Sequence, residues 1–438
     1  MRRATGGGLP VLLLAVLIAG CSSSPAETGF AWDSQSGSQS NELGQQSAVT
    51  GDSGLLAEHV DGLPFDLLVG PHQSDTVDLV KAKDAEVAVE GVAYETLGET
   101  EMQGHMPGPM PRVVLDDGSA FGSLMHLASE GDVTSLEDIP SEAGVIAVDG
   151  TFTPLQDIAA EMSPISGSNP DGLLFEPQHA SAAGEWVVWR EGSAGEHNAL
   201  PTLDSDDWRL VAWDRDTGVV SEIASAFLVH GDRFAPYASW DVAPSSDGTL
   251  VYFEAMMPAG DDWENTVISV PLEGGSDISL LGRGLMPAAN PEGGVFWISL
   301  DWGDTGTVVF DGEPLFSVSG EGWSVRRLAA SSDLVVATVW DGSTAWLVVY
   351  DVATGQVVRV VDTGSDWAEV SLSGRSFVWG NSAGGSDPMM YFMDAAGDPI
   401  ALWGVQGLSA PLINGEHLAV PMEGEDGAIT WTFLRWLG

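Results

Sequence analysis

Positive charge is what this chain has least of. Its 438 residues carry 15 Lys and Arg against 64 Asp and Glu, a formal charge of -49. Only two are lysines, Lys81 and Lys83. A balance this acidic excludes nucleic acid and anionic headgroups as direct partners, because both are held by clustered Lys and Arg. Cysteine is almost absent too. With Cys21 alone, the chain has no internal disulfide and no thiolate metal set. The eight histidines form no His-x-x-x-His pair, so nothing in the spacing points to zinc. Apolar residues are plentiful, at 44% with 17 Trp, so the acid excess does not mean disorder. Gly 54 and Pro 24 point to many turns and few long helices.

The first twenty residues read as a secretion signal. Arg2 and Arg3 precede an apolar stretch, 9–19, that is too short to span a bilayer. It ends in Leu17-Ile-Ala-Gly-Cys21, which resembles the bacterial lipobox. The resemblance implies cleavage before Cys21 and lipidation of its thiol, with palmitate-type acyl chains; two or more such chains give a stable anchor. The alternative is an ordinary signal peptide with a chance cysteine. Residues 21–55 then form a tether: 18 of the 33 residues from Ser22 to Gly54 are Ser, Gly or Gln. A flexible chain of that length reaches roughly 30 Å. The Gly/Ala/Asp-rich, Lys-poor composition fits a high-GC bacterium such as an actinobacterium. The expected location is the extracytoplasmic face of the cell membrane.

Residues 176–438 repeat. Apolar strands recur as Trp186-Val-Val-Trp189, Leu250-Val-Tyr-Phe253, Val295-Phe-Trp-Ile298, Leu334-Val-Val-Ala337, Ser376-Phe-Val-Trp379 and Leu418-Ala-Val420. Equivalent points at Trp189, Tyr252, Trp297, Thr338, Trp379 and Val420 give steps of 63, 45, 41, 41 and 41. Each strand is followed by a second, as in Trp346-Leu-Val-Val-Tyr350. A period near 40 with several short strands per unit is the signature of propeller blades. The fold class is therefore all-β, a β-propeller of six to eight blades on a flexible N-terminal tether. An insertion at 192–207 accounts for the long first step. The last unit stops one strand short, so an N-terminal strand must close it; 66–69, 112–115 and 145–149 are the candidates. Residues 56–175 read as irregular: an extra blade, a closing strand or a lid.

Two units end their second strand in the same turn, Asp214-Arg-Asp-Thr-Gly218 and Asp351-Val-Ala-Thr-Gly355, with Asp394-Ala-Ala-Gly397 as a third, degenerate copy. This Asp-x-x-Thr-Gly turn after a Leu/Val/aromatic strand resembles the repeats of quinoprotein-like and TolB-like β-propellers, over about 260 residues. The quinoprotein repeat typically carries a Trp soon after the turn. Here Ser221-Glu-Ile223 and Arg359-Val-Val361 stand in that place, so the resemblance implies no cofactor.

Motifs of catalysis are present only as fragments. Asp362-Thr-Gly364 matches one half of a pepsin-like carboxylate pair, with Asp216-Thr-Gly218 and Asp304-Thr-Gly306 as possible mates. Each reads better as a turn, because no two-lobe duplication is visible. Gly380-Asn-Ser-Ala-Gly384 lacks the helix that a nucleophile elbow needs, and Gly51-Asp-Ser-Gly54 falls in the tether. For calcium, 204–207, Asp261 and Asp262 with Glu264, and Asp301 with Asp304 offer oxygen donors, against the alternative of a solvated acidic surface.

A recurring acid–Trp step is the most informative feature: Asp207-Trp208, Asp262-Trp263, Asp301-Trp302 and Asp366-Trp367. An exposed Trp beside a carboxylate can stack on a sugar or hold a cation. A buried one packs between blades. The expected function is a binding or scaffolding module for an envelope protein or a glycan. The alternatives are a hydrolase or lyase acting on carbohydrate, with channel carboxylates such as Asp241, Asp301 or Asp341, and a TolB-like helper of envelope proteins. Cys21→Ser is expected to move the protein from the membrane fraction to the soluble one on fractionation. Unchanged retention would refute the anchor.

Overall fold

The computed structural model describes residues 54–438 except 59, 75, 101–107, 126–140, 156–174, 194–204, 207, 231–234, 237–243, 260–261, 275–276, 303–305, 382–388, 404–409 and 424–428. The chain enters at the rim. Strands β1 (Leu56–Glu58) and β2 (Asp66–Val69) pair with each other, and β3 (Asp78–Lys81), β4 (Glu86–Val87) and β5 (Tyr94–Glu99) follow. Four-stranded blades then succeed one another, each running from its innermost strand outward. The first is β6 (Met110–Val114), β7 (Ala120–Met125), β8 (Ser141–Ile146) and β9 (Phe152–Pro154). The second holds β10 (Phe175–Ala183) and β11 (Trp186–Ser193). After the short β12 (Ser205–Asp206), it is completed by β13 (Trp208–Asp214) and β14 (Val220–Ser225). Helix α1 (Ala226–His230) follows, then β15 (Ala235–Pro236), which pairs with β12.

The third blade is β16 (Ser245–Ser246), β17 (Leu250–Ala259), β18 (Asp262–Pro271) and the first half of β19 (Ser279–Ala289). Strand β19 serves two blades. Its first half pairs with β18, and from Gly284 onward it pairs with β20 (Val295–Ser299) as the innermost strand of the fourth blade. A bulge between Leu285 and Ala288, with Met286 at φ +55°, redirects it. The fourth blade adds β21 (Thr307–Phe310) and β22 (Glu313–Ser319). The fifth is β23 (Ser324–Ala330), β24 (Leu334–Trp340), β25 (Ala345–Asp351) and β26 (Gln356–Ser365); the sixth is β27 (Ala368–Ser373), β28 (Ser376–Asn381), β29 (Met389–Asp394) and β30 (Ile400–Trp403). The seventh has only three strands of its own: β31 (Leu412–Asn414), β32 (His417–Glu423) and β33 (Ile429–Trp436).

The missing outer strand of the seventh blade is β5, antiparallel to β33 in the register Trp436↔Tyr94 to Thr432↔Glu99. None of the three segments expected from sequence closes the ring. Asp66–Val69 lies outside β22, 112–115 falls largely within β6, and 145–149 spans the end of β8 and the turn after it in the first blade. Residues 56–99 instead form a belt, adding β2 to the fourth blade and β3 and β4, both parallel, to the fifth and sixth before β5 completes the seventh. The long first repeat step also has two sources: 194–207 within the second blade, and 226–244 after it.

Closure is visible in the packing. Each innermost strand touches the next, β6 to β10, β16, β19, β23, β27 and β31, and β31 returns to β6. Among the described residues, seven apolar clusters each sit at one blade junction. The junction between the seventh and first blades is built like the others, from Val114, Ala120 and Ile146 against Ala419, Trp431 and Phe433. The middle strands are covered on both faces, which is why β25 reads Ala-Trp-Leu-Val-Val-Tyr-Asp without alternation and is buried throughout. Several inner strands are short, and neighbouring inner strands join through small polar side chains. The Ala289 amide donates to Ser245 Oγ (2.8 Å), the Ile413 amide to Ser371 Oγ (3.2 Å), and Asn414 Nδ2 to the Val114 carbonyl (3.1 Å).

One carboxyl lies inside this wall. Glu254 on β17 is fully buried at the junction of the third and fourth blades, where the Met286 amide donates to its Oε2 at 2.9 Å while its Oε1 has no partner. Burial pushes its pKa up to about 7, opposed in part by the Met286 amide. The native state thus holds a proton that the unfolded chain has released. Stability from this group is complete below the ordinary carboxyl range and is lost as pH rises towards 7. Glu254→Gln should flatten that dependence, gaining on the order of 2–3 kcal/mol over wild type between pH 5 and pH 8. Paired urea titrations measure this, since the other carboxylates cancel in the difference; identical pH slopes would contradict it.

Candidate functional site

The two ends of the ring differ. At one end the strands are joined by tight turns at 115–119, 184–185, 247–249, 331–333, 352–355, 374–375 and 415–416. At the other, connections run to 126–140, 155–174, 194–207 and 226–244. Long loops on a rigid frame are where binding residues concentrate.

At the tight end, aspartate closes turns. Asp214 accepts from the Asp216 and Thr217 amides (3.0 and 3.3 Å) and from Thr217 Oγ1 (2.7 Å), while Gly218, at φ +72°, donates to the Asp214 carbonyl. Asp351 repeats this with Thr354 and Gly355. These hydrogen bonds outweigh desolvation and hold both carboxyls below the usual range. Arginines tie one blade to the next at this end: Arg215 to Asp116 (2.7 Å) and Arg375 to Asp351 (2.8 Å).

The acid–Trp steps all belong to the long-loop end, because each follows the second strand of a blade or links one blade to the next. Their exposure differs. Trp208 is fully buried, packed against Phe253 of the next blade (centroids 5.9 Å), so it is a wall residue rather than a ligand contact. Trp263 is 36% exposed, and His230 bridges it to Trp208 edge-on. Trp302 and Trp367 are half-buried. Asp262, Asp301 and Asp366 are exposed, whereas Asp207 lies outside the described residues, as do Cys21, Asp241, Asp261 and Asp304.

Asp301 is engaged. Arg283 reaches it at 3.3 Å and Glu264 at 2.8 Å, stitching the third blade to the fourth beside Trp263 and Trp302. Asp341 accepts from the amides of Ser343 and Thr344 and from both hydroxyls (2.8 to 3.3 Å), and these bonds overcome desolvation to lower its pKa. Asp341 is therefore not tuned as a general acid. Asp362 accepts from the Gly364 amide at 3.1 Å, and its would-be mate Asp216 lies at the opposite end of the ring. Among the described residues, no group of three or more His, Cys, Asp or Glu is placed to hold a metal ion, and no helix is long and apolar enough to cross a membrane.

A second feature at this end lies between the fifth and sixth blades. Arg326 and Arg327 occupy a bulge of β23, where the register slips between Val325 and Arg327. Arg326 Cζ stands 5.3 Å from the centre of the Trp340 ring and Arg327 Cζ 5.3 Å from that of Trp367, while the two indoles meet edge-on at 5.6 Å. Arg327 also pairs with Glu369 at 3.1 Å. The sequence held one signal for this, the Arg326-Arg327 doublet, the only adjacent pair of basic residues after the leader.

No protein-family model matches the chain, and no curated protein does. Solved structures resemble it in fold. A prolyl endopeptidase aligns over 78% of this chain and 51% of its own, at 14% identity and TM-score 0.46. A puromycin-hydrolyzing peptidase of Mycobacterium tuberculosis aligns over 84% and 54%, at 13% and 0.41. The β-propeller domain of the Trilobed protease from Pyrococcus furiosus aligns over 46% and 69%, at 12% and 0.35. The chain spans about half the length of those two peptidases. At these identities and TM-scores the likeness carries no argument of its own; the seven blades and the unbroken contacts between their inner strands are what make the chain a β-propeller module.

Proposed function

We propose that this propeller is a lipid-anchored, extracytoplasmic binding module whose long-loop end engages a protein or glycan of the cell envelope. One observation carries the reading: tryptophans with accessible faces, each beside a carboxylate, gather at the end where the long connections emerge. A half-exposed indole packed against the blades is a preorganised stacking surface, which lowers the entropy cost of binding. The lipobox and the tether of 33 residues supply the anchor and its reach. The acidic surface would be repelled by anionic headgroups, which leaves this end free to meet a partner. The carbohydrate-active hydrolase or lyase reading fits less well, because Asp301 and Asp341 are committed to Arg283 and to a turn.

The test is binding of the purified chain to isolated envelope glycans and envelope proteins, comparing wild type with the Trp263→Ala, Trp302→Ala double variant. A tenfold or greater loss of affinity, about 1.4 kcal/mol, is expected with little change in melting temperature. Equal affinity in both proteins would refute the assignment of this surface.

A further inference from the structure

Arginine has a consistent use in this molecule. Seven described arginines, Arg209, Arg215, Arg283, Arg327, Arg359, Arg375 and Arg435, each lie within ion-pair distance of a carboxylate. With 64 acidic residues available, a counter-charge is easily supplied, and leaving one out is costly once a guanidinium is drawn from water. Arg326 differs from these seven. It is half-buried on the inner strand of the fifth blade, has no ion pair among the described residues, and its Nε has no acceptor. Its recorded contact is the Trp340 ring, whose Nε1 is also without a partner. Burial lowers its pKa with no charge to offset it. Stacking on an indole leaves a guanidinium's N–H donors unsatisfied.

The bulge matters here. By slipping the register, it turns Arg326 and Arg327 to the same side, towards Trp340, Trp367 and Glu369. Arg327 is neutralised by Glu369, and Arg326, with its Nε unpartnered, lies over Trp340, which meets Trp367 edge-on. A planar fork next to aromatic faces fits a carboxylate bidentately while the rings receive the body that carries it.

We propose that Arg326 is an anion-recognition residue that takes the carboxylate of a uronic-acid-type sugar, with Trp340 and Trp367 as the aromatic wall for its ring. This rests on the reading of the long-loop end as the binding face and names the ligand chemistry there. The net charge narrows the class further. A polyanion would be repelled by a chain of formal charge -49, whereas a single carboxylate in an otherwise neutral glycan meets the guanidinium within about one Debye length, roughly 8 Å at physiological salt.

The experiment titrates the full chain with sodium glucuronate, glucuronamide and N-acetylglycine at constant ionic strength, reading tryptophan fluorescence and heat. Wild type should respond saturably to glucuronate and not to the neutral amide. Arg326→Met should weaken that response at least tenfold, and Arg326→Lys should fall between them, since it keeps the charge and loses the fork. Arg359→Met, which breaks an ion pair with Asp78 at the rim, should bind as wild type. Melting gives a second readout. A residue kept for a ligand costs stability, so Arg326→Met should melt at the same temperature or higher, and a marked fall would assign Arg326 a structural role and overturn the proposal. No glucuronate response in wild type overturns it even if the tryptophan double variant loses envelope binding, as does a response to N-acetylglycine alone. A glucuronate response lost in Arg326→Met supports it even if that double variant still binds envelope.

Discussion

The pairing of β5 with β33 is the contact on which the rest of this molecule depends. A row of blades has two open ends, and each blade buries its apolar faces only against both neighbours. Here the ends are joined by building the seventh blade from both termini of the described chain: three C-terminal strands and Tyr94–Glu99. The joint is reinforced just beyond the strand, where the Thr100 amide donates to the Trp431 carbonyl (2.9 Å) and the Trp431 amide to Thr100 Oγ1 (3.0 Å). It is also tight. A β-carbon at Gly98 would lie 2.3 Å from the Val148 carbonyl oxygen, and one at Gly150 would lie 2.0 Å from that of Glu99. The closing strand and the first blade fit only because neither position carries a side chain.

Closure explains how so acidic a chain folds at all. Repulsion among its carboxylates is spread over a rigid ring whose apolar junctions are continuous, and many aspartates take part in its construction. At the tight-turn end they accept backbone amides, as Asp214 and Asp351 do, and arginines then clip adjacent blades together. The charge is therefore divided by role. One end spends it mainly on turns, and the other presents exposed carboxylates, Asp262, Asp301 with its Arg283 partner, and Asp366, among half-exposed tryptophans. The inner strand of the fifth blade adds Arg326, a guanidinium with no ion pair among the described residues, which is the least expected group in such a protein.

The middle strands of blades two to seven were legible in the sequence, because strands covered on both faces must be continuously apolar and recur at the blade period. The Asp-x-x-Thr-Gly turns were legible for the same local reason: the side chain and the glycine close the hairpin with no tertiary help. Inner strands such as Ser245–Ser246 and the closing strand Tyr94-Glu-Thr-Leu-Gly-Glu99 escaped notice because they are short, small or polar and take their conformation from neighbours. The site divided likewise. The acid–Trp steps were visible, but the burial of Trp208 is fixed by a facing blade, and no local pattern distinguishes it from Trp263. Glu254 could be seen as a lone carboxyl in an apolar strand. Its burial could not.

Hydrogen exchange followed by mass spectrometry on the native chain tests ring closure most directly. If β5 is an integral strand of the seventh blade, amides of Tyr94–Glu99 that bond to β33 should exchange as slowly as those of β33 itself and be released together with it on global unfolding. Rapid exchange across 94–99 while β33 stays protected would show a ring that is not held shut by its N-terminal strand.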